Sequence, residues 1–250
     1  MHPARPPRNP PATDRLRQAL VAELSAVGVT LSPDQVSLLA KYLALVSRWR
    51  RRARLTAVTD LVSAARVHIA DSLLVLRAGV APGASLIDVG SGAGLPGIPL
   101  KVARPDLSVT LLEPDARKAA FLELASADLG LALRVVAARA EDAAREPSLR
   151  EQFDLAVARA VAPLPVACEL TLPFVRSGGK TVLLKGPSVR HELDGGRAAA
   201  QTLGGGEPAL IDARLAGGER RVVVVVLKSK DSPPEFPRRS GVPQRRPIKR

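Results

Sequence analysis

The chain has 250 residues, 46% of them hydrophobic and only 2% aromatic, so it must build a globular core from Leu, Val and Ala. It also lacks the aromatic side chains from which single-strand binders make base-stacking platforms. Its net charge of +13 points to a polyanionic partner, nucleic acid or an anionic membrane surface, or to a genome whose composition favours arginine codons. With Cys168 alone and three scattered histidines, no internal disulfide and no metal-ligand spacing can be drawn.

Residues 1–12, Pro- and Arg-rich, are expected to form a disordered arm without the apolar core of a secretion signal. Leu16, Leu20, Val21 and Leu24 recur at helical spacing and Gly28 stops that helix. A second helix runs through "LSPDQVSLLAKYLALVSRWRRR", with Ser32 as N-cap and Pro33 at its first position. A third covers roughly "AARVHIADSLLVLRAG", where His68 and Asp71 lie one turn apart and a structural His–Asp hydrogen bond is expected. Residues 13–79 thus read as a small helical layer. Strands then alternate with helices: "SLIDVG", "LSVTLLEP", "LRVVAARA", "FDLAVARA" and "KTVLLKG", followed by the hairpin pair "PALIDARL" and "RRVVVVVLKS". The pattern predicts an α/β fold, a mostly parallel seven-stranded sheet with an antiparallel edge strand, over residues 80–229. Residues 230–250 remain as a basic Pro/Arg-rich tail. No apolar run reaches ~18 residues, so no membrane span is expected, and the cysteine usage suggests a cytoplasmic protein.

The stretch "LIDVGSGAGLPGIPL", Leu86 to Leu100, admits two readings. Gly92, Gly94 and Gly97 spell the dinucleotide fingerprint G-x-G-x-x-G, a weak signal by itself. Asp88 followed by Gly90, Gly92 and Gly94 spells the acid-plus-glycine loop used by class I S-adenosylmethionine (SAM) methyltransferases. Pro96 and Pro99 remove two amides from the helix that a pyrophosphate would need, and the strand meets its first glycine at Gly90; both favour SAM. Glu113, at the end of the second strand, is placed to accept the two ribose hydroxyls, or else to cap the helix that starts near Asp115. Ala140, Glu141 and Asp142 follow the third strand at the ligand-binding edge, where Glu141 or a neighbouring amide could meet an adenine ring. Arg139 and Lys185, at strand ends beside this pocket, are the substrate-side candidates. "RWRRRAR" (48–54), with five arginines, and the segment Lys228 to Arg250, with eight Lys/Arg against two acids, suit phosphate contacts that position RNA without reading its sequence.

These residues resemble the RsmG (GidB) family of bacterial 16S rRNA guanine-N7 methyltransferases. The resemblance is carried by "HIADSL" (68–73), "DVGSGAGLPGIPL" (88–100), "RKAAFL" (117–122), "RAED" (139–142), "FDLAVARAVAPL" (153–164), "LLKG" (183–186) and "PRRSGVPQRRP" (237–247). It implies a Rossmann-like class I SAM-dependent fold and methyl transfer to N7 of a guanine in the 530 loop of small-subunit rRNA. It also implies Gly90 and Leu95 at the cofactor, Ala140 and Glu141 beside its adenine, and Arg159 where cofactor meets substrate. With Asp88, Gly92, Gly94 and Glu113 these make the cofactor set; Arg139, Arg159, Lys185, Arg238 and Arg239 make the RNA set. The partner implied is 16S rRNA or the small ribosomal subunit, met by a monomer without metal. In "ARLTAV" (53–58) the chain has Arg54 where the family commonly has Asn.

Guanine N7 carries a lone pair and no proton, so neither a general base nor a covalent nucleophile is required, and Cys168 reads as core. Three alternatives stay open from sequence: a nicotinamide-dependent oxidoreductase, a non-catalytic RNA-binding assembly protein and a small-molecule methyltransferase.

Overall fold

In the computed structural model of the protein, residues 12–249 are described. The arm expected at residues 1–12 lies outside them, except for Ala12, which opens helix α1 (Ala12–Ala26). Helix α2 (Pro33–Trp49) starts with a reciprocal cap. Ser32 Oγ accepts the Gln35 N–H at 3.2 Å, and Gln35 Oε1 accepts the Ser32 N–H at 2.9 Å. Its buried face (Val36, Leu39, Ala40, Leu43, Val46) repeats at three- and four-residue steps.

The third helical segment is a composite rod: α3 (Leu61–Ala64), a π-helical turn (Ala65–Ala70), α4 (Asp71–Leu73) and a 3-10 turn (Leu74–Ala78). Four parallel β/α steps follow: β1 (Ser85–Val89), α5 (Gly97–Ala103), β2 (Ser108–Leu112), α6 (Ala116–Leu129), β3 (Leu133–Val136), α7 (Ala140–Ala143), β4 (Phe153–Arg159), α8 (Leu164–Thr171). The chain then forms β5 (Val175–Lys185), α9 (Leu193–Thr202), β6 (Ala209–Arg214), β7 (Arg220–Leu227) and a short α10 (Val242–Arg245).

The seven strands lie in the order β3-β2-β1-β4-β5-β7-β6. β7 is antiparallel to both neighbours and β6 closes the sheet. Strand β5 starts five residues earlier than the sequence pattern suggests. Its register with β4 shifts between Phe153 and Leu155, and the "SGG" of residues 177–179, which reads as a helix stop, lies in this bulge.

Alternate strand residues feed two cores. Leu86, Val109, Leu111, Leu155, Val157, Val182, Leu184 and Val223 pack with α1, α2, the rod, α5 and α6. Ile87, Leu112, Ala156, Ala158, Leu183, Val222 and Val224 pack with α8 and α9. The N-terminal helices are therefore one wall of the sheet's own core rather than an appendage.

The basic C-terminal segment is not a free tail. Arg150 donates to the carbonyls of Ser232, Pro233 and Phe236, and Arg145 to that of Pro237. Chain order reverses between β1 and β4, and this switch point is where an open α/β sheet binds its ligand.

Candidate active site

The loop after β1 is held on three sides. The amides of Gly90 and Ser91 donate to Leu112 O, joining it to the end of β2. Tyr42, fully buried on α2, donates its hydroxyl to Ala93 O at 2.8 Å. Val161, from the loop after β4, lies over Gly90, where an added Cβ would come within 3.1 Å of it. Gly90, Gly92 and Gly94 have φ of +72°, +59° and +94°, a backbone that side-chain-bearing residues rarely adopt. A Cβ on Gly94 would collide with Ile98 at 2.4 Å, and one on Gly97 with Leu111 at 2.4 Å. At Gly92 the nearest atom would be Gly90 O at 4.0 Å, so Gly92 alone of these faces open space.

Asp88 is fully buried beneath this loop. Its Oδ2 accepts the Gly97 N–H at 2.9 Å, which ties the first turn of α5 to β1, while its Oδ1 has no partner. Burial pushes the carboxyl up to about 7, against the opposing pull of the Gly97 amide and the Arg159 charge. Leu95 is buried in the same loop.

Glu113 is 4% exposed. Its Oε2 accepts the Gly92 N–H at 2.8 Å and its Oε1 the Asp115 N–H at 3.0 Å. Helix α6 is capped by Asp115 itself, whose Oδ1 accepts from Arg117 and Lys118. Glu113 therefore bridges the glycine loop and the start of α6, with one lone pair left on each oxygen.

On the β3 side, Ala140 and Glu141 open α7. The Glu141 carboxylate does not stand in an open pocket: its Oε1 accepts the Gly241 N–H of the C-terminal segment at 3.0 Å, which leaves the first-turn amides as the groups presented there. Arg139, just before them, is exposed.

Two of the side chains expected to contact RNA also make internal contacts. Lys185 donates to Ala162 O and to Glu192 at 3.3 Å, bracing the loop after β4. Arg238 is held by Glu169, itself 0% exposed, through its backbone amide, Nε and Nη2 at 2.9, 2.9 and 2.5 Å. Arg239, the next residue, is exposed.

The expected His68–Asp71 hydrogen bond is also absent. His68 Nε2 pairs with Thr56 Oγ1 at 2.8 Å, and burial together with the Arg159 charge lowers the imidazole pKa, keeping it neutral near pH 7. Asp71 instead accepts from Arg159 Nη1 at 3.0 Å and Arg221 Nε at 2.8 Å. Cys168 is buried, and burial pushes its thiol up to about 12, which leaves it chemically inert. Sequence reasoning missed Tyr42, Arg221 and Glu169. Tyr42 sits at an ordinary apolar position of α2, and long-range ion pairs leave no local spacing.

Two solved structures share the fold: a predicted O-methyltransferase from Agrobacterium tumefaciens (22% identity, TM-score 0.50, 65% of this chain and 82% of that one), and a variant of the 16S rRNA (adenine(1408)-N(1))-methyltransferase from Catenulisporales acidiphilia (16%, TM-score 0.51, 64% and 92%). This sheet order, with a three-glycine loop after β1 and a buried glutamate after β2, defines a class I SAM-dependent methyltransferase. The family described as "GidB: rRNA small subunit methyltransferase G" matches residues 35–218. Proteins named "Ribosomal RNA small subunit methyltransferase G" from Moorella thermoacetica and Symbiobacterium thermophilum are 42% and 40% identical to the chain. They cover 94% and 93% of it, and 99% and 98% of their own lengths. The chain belongs to the rRNA small subunit methyltransferase G family.

The residues present suit SAM. Gly92 leaves space at the loop and Glu113 has lone pairs for two hydroxyls, while Asp88 holds the first turn of α5 beneath them.

Proposed function

We propose that the protein methylates N7 of a guanine in the 530 loop of 16S rRNA, acting in the cytoplasm on the rRNA or the small ribosomal subunit. The observation that carries this reading is the Glu113–Gly92 bridge. It sets a ribose-accepting carboxylate directly against the one loop glycine that faces open space.

SAM, when bound, supplies a methyl group on a sulfonium centre. The chain's task is to seat the cofactor, exclude water and align the acceptor. Glu113 offers its remaining lone pairs to the ribose hydroxyls. Asp88 holds Gly97 and so keeps α5 and the loop in register. Asp71 offsets the Arg159 charge, which reduces repulsion toward a cationic centre at this edge. Asp88 is bonded beneath the loop, Arg159 is paired and Cys168 is inert, which suits an acceptor that needs no deprotonation, as N7 does not.

Calorimetric titration with SAM and with NADH, then methyl-transfer assays on free 16S rRNA, 30S particles and 70S ribosomes, tests the reading. SAM binding with transfer to at least one RNA form is expected. Selective NADH binding overturns the cofactor, and SAM binding without transfer to any RNA form overturns the substrate. Glu113→Gln, which keeps the shape but weakens the acceptor, should raise the SAM dissociation constant severalfold; unchanged affinity removes its ribose role.

A further inference from the structure

Asp71, on the rod, is 5% exposed and is shared by two arginines. Arg159 Nη1 reaches its Oδ2 at 3.0 Å and Arg221 Nε its Oδ1 at 2.8 Å. The arginines come from different strands but from one sheet face. Arg159 stands in register with Leu184, Leu184 with Val223, and Arg221 precedes Val223 by two residues.

The π-turn completes the socket. The Asp71 amide bonds to the carbonyls of Arg66 and His68. The Val67 carbonyl, which a regular α-helix would give to residue 71, instead accepts Arg159 Nη1 at 2.7 Å. Two guanidiniums against one carboxylate leave one positive charge in excess. Both arginine side chains stay partly exposed, at 18% and 24%. Arg159 Nε and Nη2 and Arg221 Nη2 make no hydrogen bond among the described residues. The cluster lies at the C-terminal edge of the sheet, where Arg159 ends β4 and leads into the loop over Gly90.

From this geometry we infer that Arg159 and Arg221 form a phosphate subsite for a phosphodiester of the RNA beside the target nucleotide, with Asp71 as the residue that positions both. The fork of free N–H groups matches a phosphate's oxygens. The inference rests on the rRNA substrate proposed above.

The sign of one effect separates positioning from bulk charge. Asp71→Asn adds a positive charge, so simple electrostatics makes RNA bind tighter; loss of positioning makes it bind more weakly. Binding of a 530-loop rRNA fragment to the full-length protein is measured over a salt series for wild type, Asp71→Asn, Arg221→Gln and Arg197→Gln. In the last, the lost guanidinium is one engaged at the surface by Glu207 and Asp194. We expect Arg221→Gln to lower the log–log salt slope by about 1 and raise KM for rRNA severalfold, with SAM affinity within twofold of wild type. Asp71→Asn weakens RNA binding, and Arg197→Gln keeps the wild-type slope. Tighter RNA binding by Asp71→Asn, or an Arg221→Gln slope equal to that of Arg197→Gln, overturns the inference. If circular dichroism shows that Asp71→Asn has lost its fold, Arg221→Gln decides. A wild type that binds and methylates no RNA form defeats the substrate reading instead.

Discussion

At the scale of single residues, Arg54 holds a backbone conformation that its side chain disfavours. It has φ of +49°, a left-handed conformation that Asn adopts far more readily than Arg. Arg54 is exposed, so nothing in its packing offsets the strain. Arg54→Asn should therefore stabilise the protein by roughly 0.5 to 1 kcal/mol, read from the urea midpoint; no gain would show the turn to be set by its neighbours. Asp88 gives a pH signature. Its carboxyl titrates near 7 in the fold against an ordinary 3.8, so the folded state holds a proton that the unfolded chain has released. Stability from this group is full below about pH 4 and is lost as pH rises to about 7. Asp88→Asn keeps an acceptor for Gly97 but cannot ionise. In the cofactor-free protein it should gain on wild type by a few kcal/mol, to order of magnitude, between pH 5 and 8. Parallel stability-versus-pH curves would refute the assignment.

At the scale of elements, α2 matters more than its amphipathic pattern suggests. Gln35, at its start, reaches Val102 O at the end of α5 at 2.8 Å, and Tyr42, further along, reaches Ala93 O in the glycine loop. One helix thus fixes both the α5 end and the loop. Tyr42→Phe keeps the ring packing and leaves a buried carbonyl without its donor, a cost of about 1 to 3 kcal/mol. Denaturant unfolding should show that loss, and calorimetry a weaker SAM affinity. A stability loss with unchanged SAM affinity would mean that the loop keeps its shape without the hydroxyl. The rod illustrates the converse. Its helical character is legible in "AARVHIADSLLVLRAG", but the π register that frees the Val67 carbonyl is not, because an i→i+5 turn is paid for by Arg159, ninety-two residues away.

At the scale of the molecule, the C-terminal segment is sewn down by buried charge. Lys228, fully buried in its side chain, bonds to Glu151, Leu172 O and Ser232 Oγ, and burial lowers its pKa. Glu169 takes Arg238, and Glu141 takes Gly241. Glu169→Gln should cost on the order of 3 to 5 kcal/mol, since it disrupts a buried, multiply bonded pair, and a double variant with Arg238→Gln should recover part of that loss. Additive losses would show the two side chains to be uncoupled. Seating of the segment places exposed Arg239 and Arg245 near α7, so part of the positive charge is delivered to the sheet edge by folding.

The sequence by itself determined the element types, the glycine-loop register from Asp88, and the carboxylate at Glu113. Each is written in local signals: period two or 3.6, a cap, or a glycine where φ must be positive. Tertiary structure alone decided which charges are spent inside the molecule. Lys185 and Arg238 read as free cations until Glu192 and Glu169 meet them, and Asp71 reads as a partner of His68 until two strands bring Arg159 and Arg221 to it. A buried ion pair is selected by the desolvation cost of leaving either charge alone, and that cost exists only once the chain has folded around it.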